Sequence, residues 1–540
     1  MATDLTSFNF TQGSDLARDL NDGLFNNDDV DTLLGNDTLE GAGTNIGIKN
    51  KGRIDTGLGN DLITAEIDGE KGDGIRNKGI IDAGLGNDSI EGFSYKNGIR
   101  NDDTIITGRG NDFITGSSSD NNGILNNGII DTGLGNDSIE GEGFGFKDGI
   151  LNNGIIDTGL GNDSIEGEGF DRDGIRNEGI IDTGVGNDSI EGSSLGPGIE
   201  NFGTIETGIG NDSITGVGDS LGIVNADDST IDTGRGDDTI RGGGFGNGIE
   251  NNGAIYTDFG NDMITASSNF GFGLLNTDTI DTGSGDDSIS GRVGTGGGIE
   301  NRRSSTINSG SGNDTITGES ADGDGIANTG TIDTGLGNDS ITATGGSDYI
   351  EGDAAINNSG RIKTGYGNDT ITAEGAGGDG IANTGTIDTE VGNDIIIATG
   401  RFEDDNGINN SGRIKTGYGR DTITASGGIG IENTGTIDTG VGEDAIVGIG
   451  SDEFSGFSGG GRIDLGRGSD TISGFGEQTV FGGDGFDRAV FEFDSSAITF
   501  STGAGNSTKV TYDNTTMTFF EVEQFVFADD TFDAVSSSVR

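Results

Sequence analysis

The 540-residue sequence contains no histidine, no cysteine, no tryptophan and a single proline. Without His and Cys there is no Ser/His/Asp or Cys/His nucleophilic centre, no zinc site built on nitrogen or sulfur, and no histidine-ligated haem. Any metal must be held by oxygen, which favours hard cations such as Ca2+ or Mg2+. Hydrophobic residues are scarce, at 29%, too few for the thick cores of conventional domains in a chain this long. Positive charge is scarcer still. Lys and Arg total 29 against 92 Asp and Glu, a net charge of −63, which opposes compaction unless cations neutralise it and makes nucleic acid and anionic membranes poor partners. No run approaches the roughly 18 apolar residues of a membrane span. The first residues, MATDLTSFNFTQGSDLARDLNDG, lack the basic and apolar regions of a secretory signal peptide, so export would need another address.

What the chain has in excess is glycine, 110 residues, and the glycines are ordered. The string T-G-x-G-N-D-x-I-x-G recurs with its aspartate at Asp37, Asp61, Asp88, Asp112, Asp137, Asp163, Asp188, Asp212, Asp238, Asp262, Asp287, Asp314, Asp339, Asp369, Asp394, Asp421, Asp444 and Asp470. These 18 copies have a mean period near 25.5 residues. Two residues before each aspartate stands Gly. The Gly four before is replaced by Leu33, Asp258 and Glu390 in three copies. Upstream of each loop runs G-I-x-N-x-G-x-I-D-T, whose Asn lies 11 residues before the loop Asp in 15 of 17 copies, and 13 before it at Asn225 and Asn301. Insertions gather between the loop's Ile and the next Gly-Ile, the widest lying between Asp339 and Asp369.

In Ile75, Asn77, Gly79 and Ile81 the period is two, which predicts extended chain with these residues facing inward. No single repeat can bury a face alone; stacking about 18 of them makes a thin core of isoleucine columns. The fold class expected is therefore all-β, an elongated β-solenoid of parallel β-helix or β-roll type with about 18 coils. The inward Asn, repeated in every layer, can bond the amides above and below it. The Thr column (Thr56, Thr132, Thr158, Thr183) follows the inward Ile by two and is expected to be buried; the alternative is an exposed face for ice or carbohydrate.

Gly-x-Gly-Asn-Asp turns need positive φ and turn backbone carbonyls to one side, beside a carboxylate. Two such turns in adjacent layers offer about six oxygens, a calcium cage. The nonapeptides, such as Thr132 to Glu140 (TGLGNDSIE) and the fuller match Gly482 to Val490 (GGDGFDRAV), resemble the hemolysin-type, or RTX, calcium-binding repeat G-G-x-G-x-D-x-U-x. The resemblance implies Ca2+ as the cofactor, many ions at about one per coil interface, held by the 18 loop aspartates and by Asp487. This chain carries one nonapeptide per coil where that family runs two in about 18 residues, which implies a single calcium column on one edge of three-sided coils. The intervening G-I-x-N-x-G-x-I block resembles repeats of secreted β-helical adhesins.

The expected organisation is an N-terminal cap over 1–22, containing a short helical turn in SDLARDLNDGLF; a solenoid over 23–474; and a Phe-rich C-terminal β cap over 475–540. The segment FFEVEQFVFADDTFDAVSSSVR also resembles the tail of RTX proteins exported by type I secretion. The function expected is that of a secreted or cell-surface calcium-binding structural protein, not an enzyme, with calcium ions and either cell-surface polysaccharide or self-assembly into a layer or fibril as partners. The alternatives are a polysaccharide-acting lyase or epimerase, for which Tyr256 with Asp258, Arg302 with Arg303, and Glu390 are candidates, or a carbohydrate-binding adhesin.

The residue after the inward Ile of the I-D-T strand forms an outward column whose charges change along the chain. It reads Asp131, Asp157, Asp182, Glu206, Asp232 and, further on, Asp333, Lys363, Asp388, Lys415, Asp438. Like charges about 4.8 Å apart repel and alternating ones attract, so the first region is expected to open before the second when calcium is withdrawn.

Overall fold

The computed structural model describes residues 2–346, 353–452, 455–512 and 514–533. It divides into two compact units, Met1–Asn269 and Phe270–Arg540, each an all-β parallel solenoid. Among the described residues the regular coils have three strands each. In one coil of the first unit these are Ile75–Asn77, Ile80–Asp82 and, after the Gly-Asn-Asp loop, Ser89–Ser94. Each pairs in parallel with its equivalent in the next coil, Ile75 opposite Ile99, Ile81 opposite Ile105 and Ile90 opposite Ile114. The second unit repeats the pattern, with Ile326 opposite Ile356, Ile332 opposite Ile362 and Ile341 opposite Ile371.

All of these isoleucines are fully buried, so the core of each unit is three isoleucine columns, one per sheet. β-Branched side chains suit such columns because they stand stiffly off a pleated strand and pack on identical neighbours. The core is narrow. A Cβ on Gly92 would lie 2.2 Å from the Gly98 carbonyl, so only the smallest residues, Gly in most coils and Ala in others such as Ala343 and Ala373, follow the inward Ile of the third strand by two.

The inward asparagines form the expected ladder. Asn50 donates Nδ2–H to Asn77 Oδ1 (2.8 Å), Asn77 to Asn101 (2.9 Å) and Asn101 to Asn126 (2.8 Å). The same Nδ2 groups also donate to backbone carbonyls across the bend, as Asn77 does to Gly79 O at 2.7 Å, so a buried amide is satisfied in every layer. The threonines are buried as well, and Thr107 and Thr132 donate to the carbonyls of Thr132 and Thr158 (3.3 Å each).

The helical turn expected in SDLARDLNDGLF is not there. Leu16–Asp19 is a strand paired in parallel with Thr38–Gly41 and burying Ala17, because the stacked edge of the next coil offers a complete set of backbone partners and an isolated helical turn offers almost none. Near the other end, Thr479–Phe481 and Arg488–Val490 continue the parallel stack. An antiparallel meander, Thr499–Thr502, Thr508–Tyr512 and Thr515–Phe520, follows. Phe475, Phe491, Phe493, Phe519, Phe525 and Phe527 are buried together around it, with ring centroids 5.0–6.2 Å apart in pairs such as Phe491 and Phe527 or Phe475 and Phe491. The widest insertion falls on 347–352, and the tail read as an export signal ends in 534–540; both stretches lie outside the described residues. Among the described residues no helix is long and apolar enough to cross a membrane.

Candidate metal centre

The Gly-x-Gly-Asn-Asp loops join the second strand of each coil to the third and lie in register along one edge of each unit. Both glycines have positive φ, 98° at Gly84 and 146° at Gly86. A Cβ on Gly86 would sit 1.4 Å from the carbonyl oxygen of Gly59 in the preceding coil, so the stack closes only with glycine there. The three departures from the first glycine, Leu33, Asp258 and Glu390, take the same left-handed conformation at φ 76°, 59° and 64°, at a cost of about 1–2 kcal/mol each.

Two side-chain ladders clasp successive loops in opposite directions. The N–H of Asp61 donates to Asp88 Oδ1 in the following coil (2.8 Å), and the N–H of Asp88 to Asp112 Oδ1 (2.8 Å). The N–H of Asn87 donates to Asn60 Oδ1 in the preceding coil (3.0 Å). Sequence reasoning identified the aspartate and missed this asparagine, whose near-constancy before the aspartate was the signal available.

The aspartate ladder uses Oδ1 alone. Oδ2 is buried and receives no hydrogen bond at every loop carboxylate from Asp37 to Asp238 and from Asp314 to Asp487; Asp262 and Asp287 are equally buried. A buried, desolvated carboxylate oxygen without a donor is costly, and a column of them is costlier. Burial pushes Asp88, Asp163, Asp238, Asp314, Asp394 and Asp444 up to about 7. It pushes Asp137, Asp212, Asp339, Asp470 and Asp487 up to about 6. The backbone N–H on Oδ1 works against burial in each, and so does the hydroxyl of the Thr or Ser five residues upstream at Asp137, Asp163, Asp212, Asp238, Asp314, Asp339, Asp394 and Asp444. Among the described residues no three carboxylates converge. The residues that could hold a cation here are the loop carboxylates, one per coil, with backbone carbonyls or water as the other oxygen donors, a set that would suit calcium.

The ladder runs further than the repeat motif. Asp15 N–H donates to Asp37 Oδ1 (2.7 Å), which places GSDLAR in the loop register, and there the carboxylate is satisfied by the N–H and hydroxyl of Thr11. At the other end Asp487 N–H donates to Glu523 Oε2 (2.7 Å). Neither Asp15 nor Glu523 sits in a recognisable nonapeptide.

The enzyme candidates occupy different positions of the repeat. Tyr256 stands in the outward column opposite Asp232, Asp258 and Glu390 occupy loop positions in different units, and Arg302 lies over the ring of Phe272 at 6.0 Å.

No known protein family matches this sequence, and no curated protein is similar to it. Among solved structures the chain is similar to the X-ray crystal structure of a hyperactive, Ca2+-dependent, β-helical antifreeze protein from an Antarctic bacterium. The two share 18% identity with a TM-score of 0.38, over 65% of this chain and 91% of that one.

Proposed function

We propose that this protein is a calcium-binding structural solenoid, secreted or displayed at a cell surface, whose coils are locked by a column of Ca2+ along the Gly-Asn-Asp edge. The observation that carries this reading is the file of buried aspartate Oδ2 atoms lacking any hydrogen-bond donor. The carboxylates that would hold the ions are Asp37 to Asp470 at one per loop, with Asp487 after them. Bound calcium would supply the positive charge that a −63 chain lacks and pull the raised carboxyls back to the ionised state. Extracellular modules bind calcium at roughly 10⁻⁴–10⁻³ M; at the far lower free calcium of a cytoplasm the chain stays open and folds once outside. Export through a C-terminal signal rests on the resemblance of residues 519–540 to type I tails, and deleting them should retain the chain in the cell. Circular dichroism tests the calcium reading: the strand signal should collapse with excess chelator at neutral pH and return with added calcium, and an unchanged signal in chelator overturns it.

A further inference from the structure

At the tip of every loop, between the two glycines, stands a residue that the turn itself does not specify. Its neighbours supply the positive φ, and its own side chain points away from the core. In the first unit the tips form one column joined coil to coil by single parallel bridges, Leu34 to Leu58 to Leu85 to Arg109 to Leu134 to Leu160 and on to Phe259. They are exposed, Leu85 by 45%, Leu160 by 50% and Phe259 by 56%.

Neither turn chemistry nor burial accounts for their composition. The chain is 29% hydrophobic, yet 13 of the 18 tips from Leu34 to Arg467 are apolar or aromatic and the rest are three Arg and two Ser; the one acidic tip, Asp484 in the Asp487 loop, lies in the second unit opposite Arg467. In the first unit alone eight of ten tips are apolar and the other two are Arg109 and Arg235. Side chains that are solvent-exposed, apolar and aligned mark a surface that another molecule covers.

The charge distribution selects the occupant. Faces away from this edge carry carboxylates in stacked rows, such as Glu140 opposite Glu166 and Glu142 opposite Glu168, so two copies of a −63 chain repel in most orientations. The tip column of the first unit is free of acid and the carboxylates directly behind it are those the calcium column would neutralise; in the column beside it Asp131, Asp157, Asp182 and Asp232 are half-buried and Glu206 is exposed. A stripe with one apolar side chain per coil, about 4.8 Å apart, is complementary to itself, since the tips of one copy fit between the tips of another about a two-fold axis. Eight half-exposed apolar tips present on the order of 600 Å² per copy, somewhat short of the roughly 800 Å² per partner of a standard interface.

We infer that the loop edge of the first unit is a calcium-dependent self-association face, on which a second copy of this chain docks stripe to stripe. This rests on the calcium reading above, because without the cations the edge carries a file of carboxylates.

Sedimentation velocity on the full-length protein in millimolar calcium tests it. Wild type should form dimers or larger species. The variant Leu58→Glu/Leu134→Glu/Leu160→Glu/Ile209→Glu should associate at least tenfold more weakly, with the same strand signal and calcium uptake. The corresponding Gln variant serves if the Glu variant misfolds, and Phe146→Glu, which is 80% exposed but away from the tips, should associate like wild type. A folded, calcium-loaded wild type that stays monomeric at ~100 µM, whether or not it binds polysaccharide, overturns the proposal. So does a tip variant that associates as well as wild type. A strand signal indifferent to chelator sinks the calcium reading instead, so the two failures are distinguishable.

Discussion

Two stretches of the solenoid share one backbone plan and differ in the charges beside the loops. In the first unit Asp131, Asp157, Asp182, Glu206 and Asp232 lie directly opposite one another in consecutive coils. Burial pushes Asp131, Asp157 and Asp232 up; the neighbours Asp182 and Asp131 add to the effect at Asp157, and Asp258 and Glu206 at Asp232. In the second unit the same position reads Asp333, Lys363, Asp388, Lys415, Asp438. There Lys363 Nζ lies 3.4 Å from Asp333, Lys415 Nζ 3.3 Å from Asp388, and Arg413 2.7 Å from Asp438. The isoleucine columns are common to both stretches; besides the charges, the second has longer first strands, five residues at Ala354–Asn358 and Asp379–Asn383 against three at Ile150–Asn152 and Ile175–Asn177. In this column the second carries cationic side chains beside its acids, and the first carries none.

The largest expected effect comes from withdrawing calcium at different pH. A carboxyl that holds its proton more tightly in the folded chain favours folding at low pH; that contribution is complete below about pH 4 and is lost as pH rises through about 7, the value reached at Asp88, Asp163 and Asp394. In chelator the protein should therefore stay coiled near pH 4 and open towards pH 8. Hydrogen exchange should show coils 131–232 losing protection before coils 333–438. Simultaneous loss, or the reverse order, breaks the comparison.

Next in size is the same substitution made in each stretch. Asp163→Asn and Asp394→Asn both keep the Oδ1 acceptor and remove one carboxylate charge from the proposed calcium column. Each should open its local coils by about 2–3 kcal/mol in calcium, with the wider loss of protection around Asp163, where the flanking column supplies no cation. Equal footprints in hydrogen exchange would remove the electrostatic distinction.

Exchanging the columns is a smaller change. Asp157→Lys with Glu206→Lys gives the first stretch an alternating pattern, and Lys363→Asp with Lys415→Asp gives the second a uniform one. Exposed pairs contribute tenths of a kcal/mol each, so about 1–2 kcal/mol over four contacts should move the calcium midpoints of the two stretches past each other. Midpoints that do not move place the difference elsewhere.

The smallest effect concerns the left-handed positions. Asp258→Gly should stabilise by about 1 kcal/mol, since it relieves a positive-φ aspartate and removes a like charge beside Asp232. Glu390→Gly relieves the same strain but breaks contacts to Arg361 (3.7 Å) and Lys363 (3.5 Å), and should gain less. Thermal melts in calcium compare them.

The regular part of this fold was legible because each repeated residue has one physical task. Ile fills a column, Asn bonds Asn, Gly admits the carbonyl of the coil below, and a period of two assigns the faces. The ends were less legible because they keep the geometry without the letters. Asp15 follows Gly-Ser instead of Gly-Asn, and Glu523 reaches the ladder with a longer side chain. Leu16–Asp19 reads as a helical turn until the adjoining coil is considered. In the loops the repeated aspartates could be picked out from sequence, but not the division within each carboxylate, with Oδ1 spent on the ladder and Oδ2 left without a donor. That division depends on coil-to-coil register, which the motif does not encode.

Calcium bound per chain at saturation and neutral pH, measured by equilibrium dialysis on the full-length protein, tests the central claim most directly. The account predicts a count close to the number of loop carboxylates, Asp37 to Asp487, falling by about one in Asp163→Asn. A folded protein that binds only one or two ions would contradict it.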